Sequence, residues 1–284
     1  EREIIMVKII SDTSTLFSTN EGKEHSITIT PLHVTFGKES YRELDEIDSA
    51  HFLKRITDEN PPMSSQPSIG DKLKQYDQLL ETDEILDITM ADGLSGTYES
   101  ACNAKQISVN CDRITVFNSQ TLCGPHRYLV LKAVQLASKG LSVKEIITEL
   151  EKSIQCEKSF LIPRDFSFLK RGGRLTPLAA TIGGMLKVVP VMTLTQDHRR
   201  LEKYTMKRTL KKAIEAIIEC YEEMSVDENY YMSITHADVL DEAVMVKDMM
   251  QNHFPNTEIE LFELSPVFIT QGGPGCIAVQ VIKK

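Results

Sequence analysis

Glu84-Ile85-Leu86-Asp87-Ile88-Thr89-Met90 leads into Ala91-Asp92-Gly93-Leu94-Ser95-Gly96, which leads into Thr97 to Ser108. The first part is a short, mostly apolar run of strand length. The second is broken by two glycines. In the third, Ala101, Ala104 and Ile107 recur at helical spacing. Strand, turn and helix follow in that order, and the order repeats outward from this stretch. Upstream, Met6 to Ile10 predicts a buried strand that runs into the polar loop Ser11-Asp12-Thr13-Ser14-Thr15. Ser26 to Thr35, rich in Ile, Thr and Val, predicts another strand, and Tyr41 to Ile56 a helix ending before Pro61-Pro62. Downstream, Arg113 to Phe117 predicts a strand followed by Asn118-Ser119-Gln120-Thr121. Two helices come next, Pro125 to Lys139 closed by Gly140, and Ser142 to Cys156 with Ser142 as N-cap.

Such alternation means βαβ units and a mostly parallel sheet covered on both faces. Ligands of such sheets bind outside the carboxyl ends of the strands. The loops at Asp12, Ser95 and Ser119 each follow a predicted strand, so one shared rim is expected.

Beyond about residue 158 the pattern changes. Strands are predicted at Ser159 to Pro163, Lys187 to Leu194, Arg200 to Thr205, Tyr230 to Thr235, Glu258 to Phe262 and Cys276 to Ile282. Helices are predicted at Phe166 to Arg171, Lys207 to Met224 and Leu240 to Phe254. Strands joined by a turn and mixed with helices indicate antiparallel pairing. The fold class expected is α/β with two domains: a mostly parallel α/β part over 1–157 and an α+β part over 158–284.

The chain has 284 residues, enough for two domains with sizeable cores. A net charge of −9 argues against nucleic acid or an anionic membrane as a generic partner. No apolar run reaches transmembrane length, so stable membrane insertion is not expected, only transient contact at most. The six cysteines form no CxxC pair, and no His-rich cluster accompanies them. Reduced thiols in a cytoplasmic protein are expected, with no metal and no cofactor. Met6 reads as the natural first residue and Glu1 to Ile5 as an added leader.

Two serine-containing stretches carry the candidate chemistry. In Ser64-Ser65-Gln66-Pro67-Ser68, Ser68 and Asp71 make a capping-box-like start to a helix over Ile69 to Leu80. Hydroxyls thereby collect where backbone N–H groups point outward, which suits an anion. Ser95, Gly96 and Thr97 offer the same groups at the next helix start. Gly-x-Ser-x-Gly would require glycine at Thr97, so this is no nucleophile elbow. Arg171-Gly172-Gly173-Arg174 reads either as a phosphate nest or as a turn between two solvated arginines. No Gly-Lys-Ser/Thr follows it, which excludes a Walker loop. His198 and His236 read as structural or solvated, and Gly272-Gly273-Pro274-Gly275 as a permissive turn before the last strand.

Taken in this order and spacing, the motifs resemble the DegV family of bacterial fatty-acid-binding proteins, of the type that serves a fatty acid kinase. The resemblance spans Met6 to Lys284. It rests on Ser11-Asp12-Thr13-Ser14, Ser64-Ser65-Gln66-Pro67-Ser68, Leu94-Ser95-Gly96-Thr97-Tyr98 and Phe168-Leu169-Lys170-Arg171-Gly172-Gly173-Arg174. Ile182 to Pro190, Arg208 before Lys211-Lys212-Ala213, Thr235-His236-Ala237-Asp238 and Gly273-Pro274-Gly275 complete it. It implies one long-chain fatty acid in a tunnel between the two domains, its carboxylate held by Ser64 and Ser95. Arg208 matches an arginine that some members add, and Ser65, Gly96 and Thr97 belong to the same two loops. Gln271 stands where some members of the family have histidine, Asn118 where it usually has aspartate, and Ser64 where it usually has threonine. A glutamine donates a hydrogen bond but brings no charge.

The expected ligand is therefore a long-chain fatty acid. The expected partner is an ATP-dependent fatty acid kinase subunit that makes an acyl phosphate for phospholipid synthesis. No catalytic residue is expected in this chain. Arg171 and Arg174 are the candidates for the docking surface, and the apolar segment Ala179 to Leu186 for the tunnel wall. Two other readings stand beside this one: a serine acyl hydrolase using Ser95 or Ser64, and a binding module for a phosphorylated small molecule.

Overall fold

The computed structural model describes residues 6–78, 83–183 and 187–284. The strands are β1 Val7–Asp12, β2 Ile27–Thr30, β3 His33–Phe36, β4 Glu39–Arg42, β5 Met63–Ser65, β6 Glu84–Thr89 and β7 Ile114–Asn118, then β8 Lys158–Ile162, β9 Val189–Leu194, β10 Leu201–Lys207, β11 Tyr230–His236, β12 Glu258–Glu263 and β13 Ile277–Lys283. The helices are α1 Thr19–Glu24, α2 Ser49–Arg55, α3 Ile69–Asp77, α4 Thr97–Ile107 and α5 Cys123–Ser138, then α6 Val143–Ile154, α7 Phe166–Gly172, α8 Leu210–Glu223, α9 Leu240–His253 and α10 Pro266–Gly272.

Among the described residues the strands build three sheets. The first runs β2-β1-β6-β7, with every neighbour parallel. Its central strand β6 is buried over five of six residues, as a strand covered on both faces must be. Helices α3 and α4 close one face, where Tyr76 and Ala104 meet Ile10, Ile85 and Ile114. Helices α5 and α6 close the other.

The second sheet runs β10-β9-β8-β13-β11-β12 and is antiparallel except for the β11–β12 pair. Its strands all lie at or beyond residue 158, and those of the first sheet all lie before it. Tyr231 and Ile282 of this sheet share a core with Leu129, Ala133, Ile146 and Leu150 of α5 and α6. Those two helices are thus a middle layer between two sheets. Helices α8 and α9 cover the outer face of the second sheet, with Ile214, Ile217 and Val246 against Met232, Ile234 and Val279. The α/β expectation, a parallel N-terminal sheet and a separate α+β C-terminal part, describes this architecture.

The third sheet is a small antiparallel one, β4-β3-β5, packed against α10 and α2. Here the structure departs from the sequence reading. Ser26 to Thr35 is two strands in two different sheets, broken at Pro31, which has no N–H for a ladder. Tyr41 to Ile56 is not one helix. Glu39–Arg42 folds back on β3 through Gly37, whose φ of 60° suits glycine, and only Ser49–Arg55 is helical, capped by Asp48. Ser64 lies in β5, opposite Val34, rather than in a loop at a helix end. The helix that follows starts at Ile69 as expected, with Ser68 as N-cap accepting from the Asp71 N–H at 3.0 Å. Its expected end at Leu80 falls outside the described residues. Helix α10 was not anticipated, because Val267-Phe268-Ile269-Thr270 carries strand-forming residues.

Candidate functional site

The rim predicted from the three loops is formed. Asp12 Oδ2 accepts from the Met90 N–H at 3.1 Å, the Ala91 N–H donates to the Thr121 carbonyl at 2.8 Å, and the Asp92 N–H donates to Asn118 Oδ1 at 3.1 Å. These bonds stitch the carboxyl ends of β1, β6 and β7 together. Asp12 and Asn118 are therefore loop ties, and His126, bonded to Ser11 and Ser14, lies buried under the same loops.

Beside this rim, a cavity opens between the parallel lobe and the second sheet. Its wall is mostly apolar, including Leu32, Leu94, Leu122, Leu161, Leu194 and Phe268. Its polar groups include Ser64, Ser65, Ser95, Gln271 and Arg174, all of which line it.

A closed circuit of contacts holds these residues in place. Gln271 Nε2 donates to Ser64 Oγ at 2.9 Å, across the interface between α10 and β5. Gly172 makes room for that amide: a Cβ there would lie 2.0 Å from Gln271 Oε1. Gly173, at φ 72°, caps α7 and returns its N–H to the Leu169 carbonyl at 3.3 Å. The Gly-Gly pair is therefore a helix C-cap and not a phosphate nest. The chain emerges with Arg174 aimed back at the parallel lobe, where Nε donates to the Leu94 carbonyl at 2.9 Å. Ser95 follows Leu94. The Gln66 amide lies over Gly96, 3.1 Å from where a Cβ would stand, and Gln66 leads back to Ser64.

Protons are available at both serines. Ser64 accepts from Gln271, which leaves its O–H to donate elsewhere. Ser95 Oγ accepts from the Thr97 N–H at 3.3 Å and shares a 2.8 Å bond with Thr97 Oγ1. Thr97 is fully buried behind Ser95 and does not line the cavity; Gly96 does not line it either. Both support the wall from behind.

Arg174 makes no ion pair among the described residues. Burial, with the Arg200 guanidinium adding to it, holds its pKa below the usual arginine value, yet arginine stays charged at neutral pH. It is thus a half-buried cation in the cavity wall, although the sequence reading placed it on a docking surface. Arg171 is exposed, stacked 4.8 Å over the Phe168 ring.

Arg208 does not reach this cavity. It precedes the N-cap of α8, on the outer side of the second sheet, and lines a separate pocket with Arg164 and Glu242. The helix it precedes packs on the opposite face of the sheet, and the arginine that lines the cavity is Arg174. The segment from Ala179 does not line the cavity either. Ala179 and Ile182 pack with Leu169, Leu175 and Met192, behind Leu169, which lines the cavity, and residues 184–186 of that segment lie outside the described residues.

Among the described residues, no histidine, aspartate or glutamate lines the cavity. His236 instead accepts from the Val239 N–H at 3.2 Å at the start of α9. Cys123 and Cys276 do line it, but burial pushes both thiols up, Cys276 to about 12, so neither is a thiolate. The arrangement can receive an anion beside an apolar slot. Among the described residues that line it there is no base for activating a nucleophile. Sequence reasoning missed Gln66, Ser159 and Gln280 as wall residues. A readable signal existed for the last, a lone polar residue inside the apolar run Cys276 to Ile282.

The chain is similar to known proteins over its whole described length. The family model for uncharacterised proteins of the DegV family matches residues 6–284. Protein DegV of Bacillus subtilis is 30% identical over 277 residues, which is 96% of this chain and 98% of that protein. A crystal structure described as DegV, a fatty acid binding protein from Bacillus subtilis, superposes with a TM-score of 0.87 at 29% identity, covering 99% of this chain and 100% of the other. A DegV family protein from Thermus thermophilus, described for its fatty acid binding, superposes with a TM-score of 0.89 at 25% identity, with coverage of 99% and 100%. With the family model spanning the chain and the fold superposing end to end, this protein belongs to the DegV family.

Proposed function

We propose that this protein binds one long-chain fatty acid in the cavity between its lobes. The carboxylate is received by the hydroxyls of Ser64 and Ser95, with Gln271 and Arg174 beside them, and the acyl chain runs along the leucine-rich wall. The observation that carries this reading is a guanidinium with no ion-pair partner among the described residues and two serine hydroxyls converging on a mostly apolar space between the lobes. Burying an ionised carboxylate costs several kcal/mol unless it is paired and hydrogen-bonded, and these groups supply both. Each buried methylene then contributes about 0.8 kcal/mol before ordering costs. The two DegV proteins described as binding fatty acids, at 29% and 25% identity, support the same reading.

At the finer level, the bound acid is the substrate of a partner. An ATP-dependent kinase subunit transfers the terminal phosphoryl group of its ATP to a carboxylate oxygen of the bound acid, releasing ADP. The acyl phosphate formed feeds phospholipid synthesis. Arg171, exposed on α7 next to Gly172, is the docking residue in this scheme. The protein acts as a carrier with no cofactor of its own. A serine hydrolase is disfavoured because neither Ser64 nor Ser95 has an imidazole or carboxylate partner among the described residues.

Mass spectrometry of the purified protein, native and after organic extraction, tests the first level. A stoichiometric long-chain acid, lost in a folded Ser64→Ala/Ser95→Ala double variant, is expected. A protein that is empty and takes up no added fatty acid would reject the reading. The second level is checked by kinase-coupled acyl phosphate formation, which Arg171→Glu is expected to lower while fatty acid affinity stays unchanged.

A further inference from the structure

We propose that the tip of the β9–β10 hairpin is the gate of the cavity, latched by Arg199 and Arg200 onto the turn Asp92-Gly93-Leu94 of the parallel lobe, and that ligand enters and leaves when this latch opens. The inference rests on the fatty-acid reading above and adds the route by which the acid is exchanged.

Strands β9 and β10 pair with Leu201 opposite Leu194, and both leucines line the cavity. The tip beyond them closes on itself, with the Thr195 N–H donating to the Arg200 carbonyl at 2.9 Å. It belongs to the second sheet, yet it reaches the parallel lobe. Arg199 Nη1 donates to Asp92 Oδ2 at 2.7 Å, and Arg200 Nη1 to the Gly93 carbonyl. Gly93, at φ 91°, lets the two backbones meet: a Cβ there would stand 2.9 Å from Arg199 Cβ. Leu94 and Ser95, which follow it, line the cavity, so the latch lies at the head-group end. Neither Arg199 nor Arg200 lines it.

The hairpin also carries Arg174. The Leu201 N–H donates to the Arg174 carbonyl at 2.8 Å, and the Thr176 N–H to the Leu201 carbonyl at 2.8 Å. Movement of the tip would therefore draw Leu201 and Arg174 away from Leu94 and Ser95 together. Elsewhere around the cavity, buried groups join the lobes. Glu43 accepts from the Val267 N–H at 2.8 Å, and Ser49 donates to the Leu264 carbonyl at 2.6 Å, both side chains buried. Helices α5 and α6 hold the second sheet through an apolar core. The latch differs, because the Arg199 side chain is 51% exposed and that of Asp92 29%. Water replaces such contacts at little cost, which is why exposed ion pairs are weak. Strand β10 is also an edge strand, and a register shift between Lys203 and Thr205 gives its outer end a place to bend. The wall that opens most readily is thus the one the tip holds shut.

The test is stopped-flow exchange of a fluorescent long-chain fatty acid, with association and dissociation rate constants measured separately. A gate governs both directions, so loosening it raises both constants and leaves Kd nearly unchanged; losing a contact to the ligand raises dissociation alone. Arg199→Asp, which sets two carboxylates face to face, is expected to raise both constants roughly five- to tenfold. The charge-swapped Asp92→Arg/Arg199→Asp variant is expected to return both towards wild type. Should Arg199→Asp fail to fold, Arg199→Gln carries the same test with a smaller rise. Unchanged exchange in a folded variant overturns the gate, as does a rise in dissociation alone. Absence of recovery in the folded charge swap overturns the latch pair. If the wild type takes up no fatty acid, the fatty-acid reading falls and this inference with it.

Discussion

Arg174 and Arg208 separate two ways of placing a charge. Both are arginines beside turns, but Arg174 lines the cavity with its Nε on the Leu94 carbonyl, and Arg208 sits on the far side of the second sheet. Charge-assisted hydrogen bonds are worth about 1.5–3 kcal/mol, so Arg174→Met should weaken fatty acid binding by roughly tenfold to a hundredfold. Arg208→Met should leave it unchanged; equal losses in both by equilibrium titration would contradict this placement. Gly172 gives a second residue-scale test. A Cβ there would lie 2.0 Å from Gln271 Oε1, the far end of a flexible side chain. Gly172→Ala should therefore push Gln271 off Ser64 and weaken binding several-fold, while the melting temperature shifts by only a few degrees.

Helix α10 carries Gln271, the cavity residue bonded to Ser64. It is seven residues long and starts on a proline, so little of its stability is its own. Glu43, fully buried, reaches across from the parallel lobe and accepts from the Val267 N–H at 2.8 Å and from the Thr13 hydroxyl. Burial raises its pKa from 4.5 to about 7, and Glu157, buried at the lobe junction, is raised to about 7 for the same reason. Both carboxyls hold a proton more readily in the folded protein than in the unfolded chain. Their contribution to stability is therefore full below 4.5 and is lost as the pH climbs through about 7. Thermal unfolding of the wild type should weaken across that window relative to a Glu43→Gln/Glu157→Gln variant. Parallel curves for the two proteins would refute the assignment. A second element, α3, is tied to the first sheet by Lys72, which donates to both oxygens of Asp87 at 3.0 and 2.8 Å, both residues fully buried. Lys72→Met leaves an unpaired buried carboxylate and should cost about 3–5 kcal/mol in denaturant unfolding.

On the scale of the whole molecule, the layers run from α3/α4 through the parallel sheet, α5/α6 and the second sheet to α8/α9. The cavity borrows walls from both lobes, so a ligand there binds the folded protein as a unit. Saturating fatty acid at about 100 times Kd should add roughly 2.7 kcal/mol to unfolding. The added stability should appear as one shifted transition, not as a shift of one lobe in a two-step melt. Arg199–Asp92, a partly exposed ion pair between the lobes at 2.7 Å, should contribute less than about 1 kcal/mol, read by the Arg199→Ala variant.

The strand–turn–helix stretch at Glu84 to Ser108, and its repeats, were legible because apolar periodicity and glycine breaks are local properties of the chain. The shared rim at Asp12, Ser95 and Ser119 followed from the same reasoning, as did the Ser68 and Ser142 caps. Ser64, Ser95 and Gln271 were marked as candidates by motif, and the fold brings all three to one cavity. Met63–Ser65 was not legible as a strand, since its pairing partner His33–Phe36 lies about thirty residues away, and Glu39–Arg42, the return strand of a hairpin through Gly37, was hidden because three of its four residues are charged or polar. Helix α10 was hidden because its residues favour strands, and an N-terminal N–H satisfied by distant Glu43 helps to hold it helical. Which arginine meets the cavity was decided by the sheet face on which α8 packs and by the left-handed turn at Gly173, neither of which has a local signature at the arginine itself. Local sequence determined which segments are strands and which are helices over most of the chain. Tertiary packing alone decided which polar side chains share one buried space, because that depends on contacts between residues 30 to 207 positions apart, such as Gln66 with Gly96, Arg174 with Leu94 and Gln271 with Ser64.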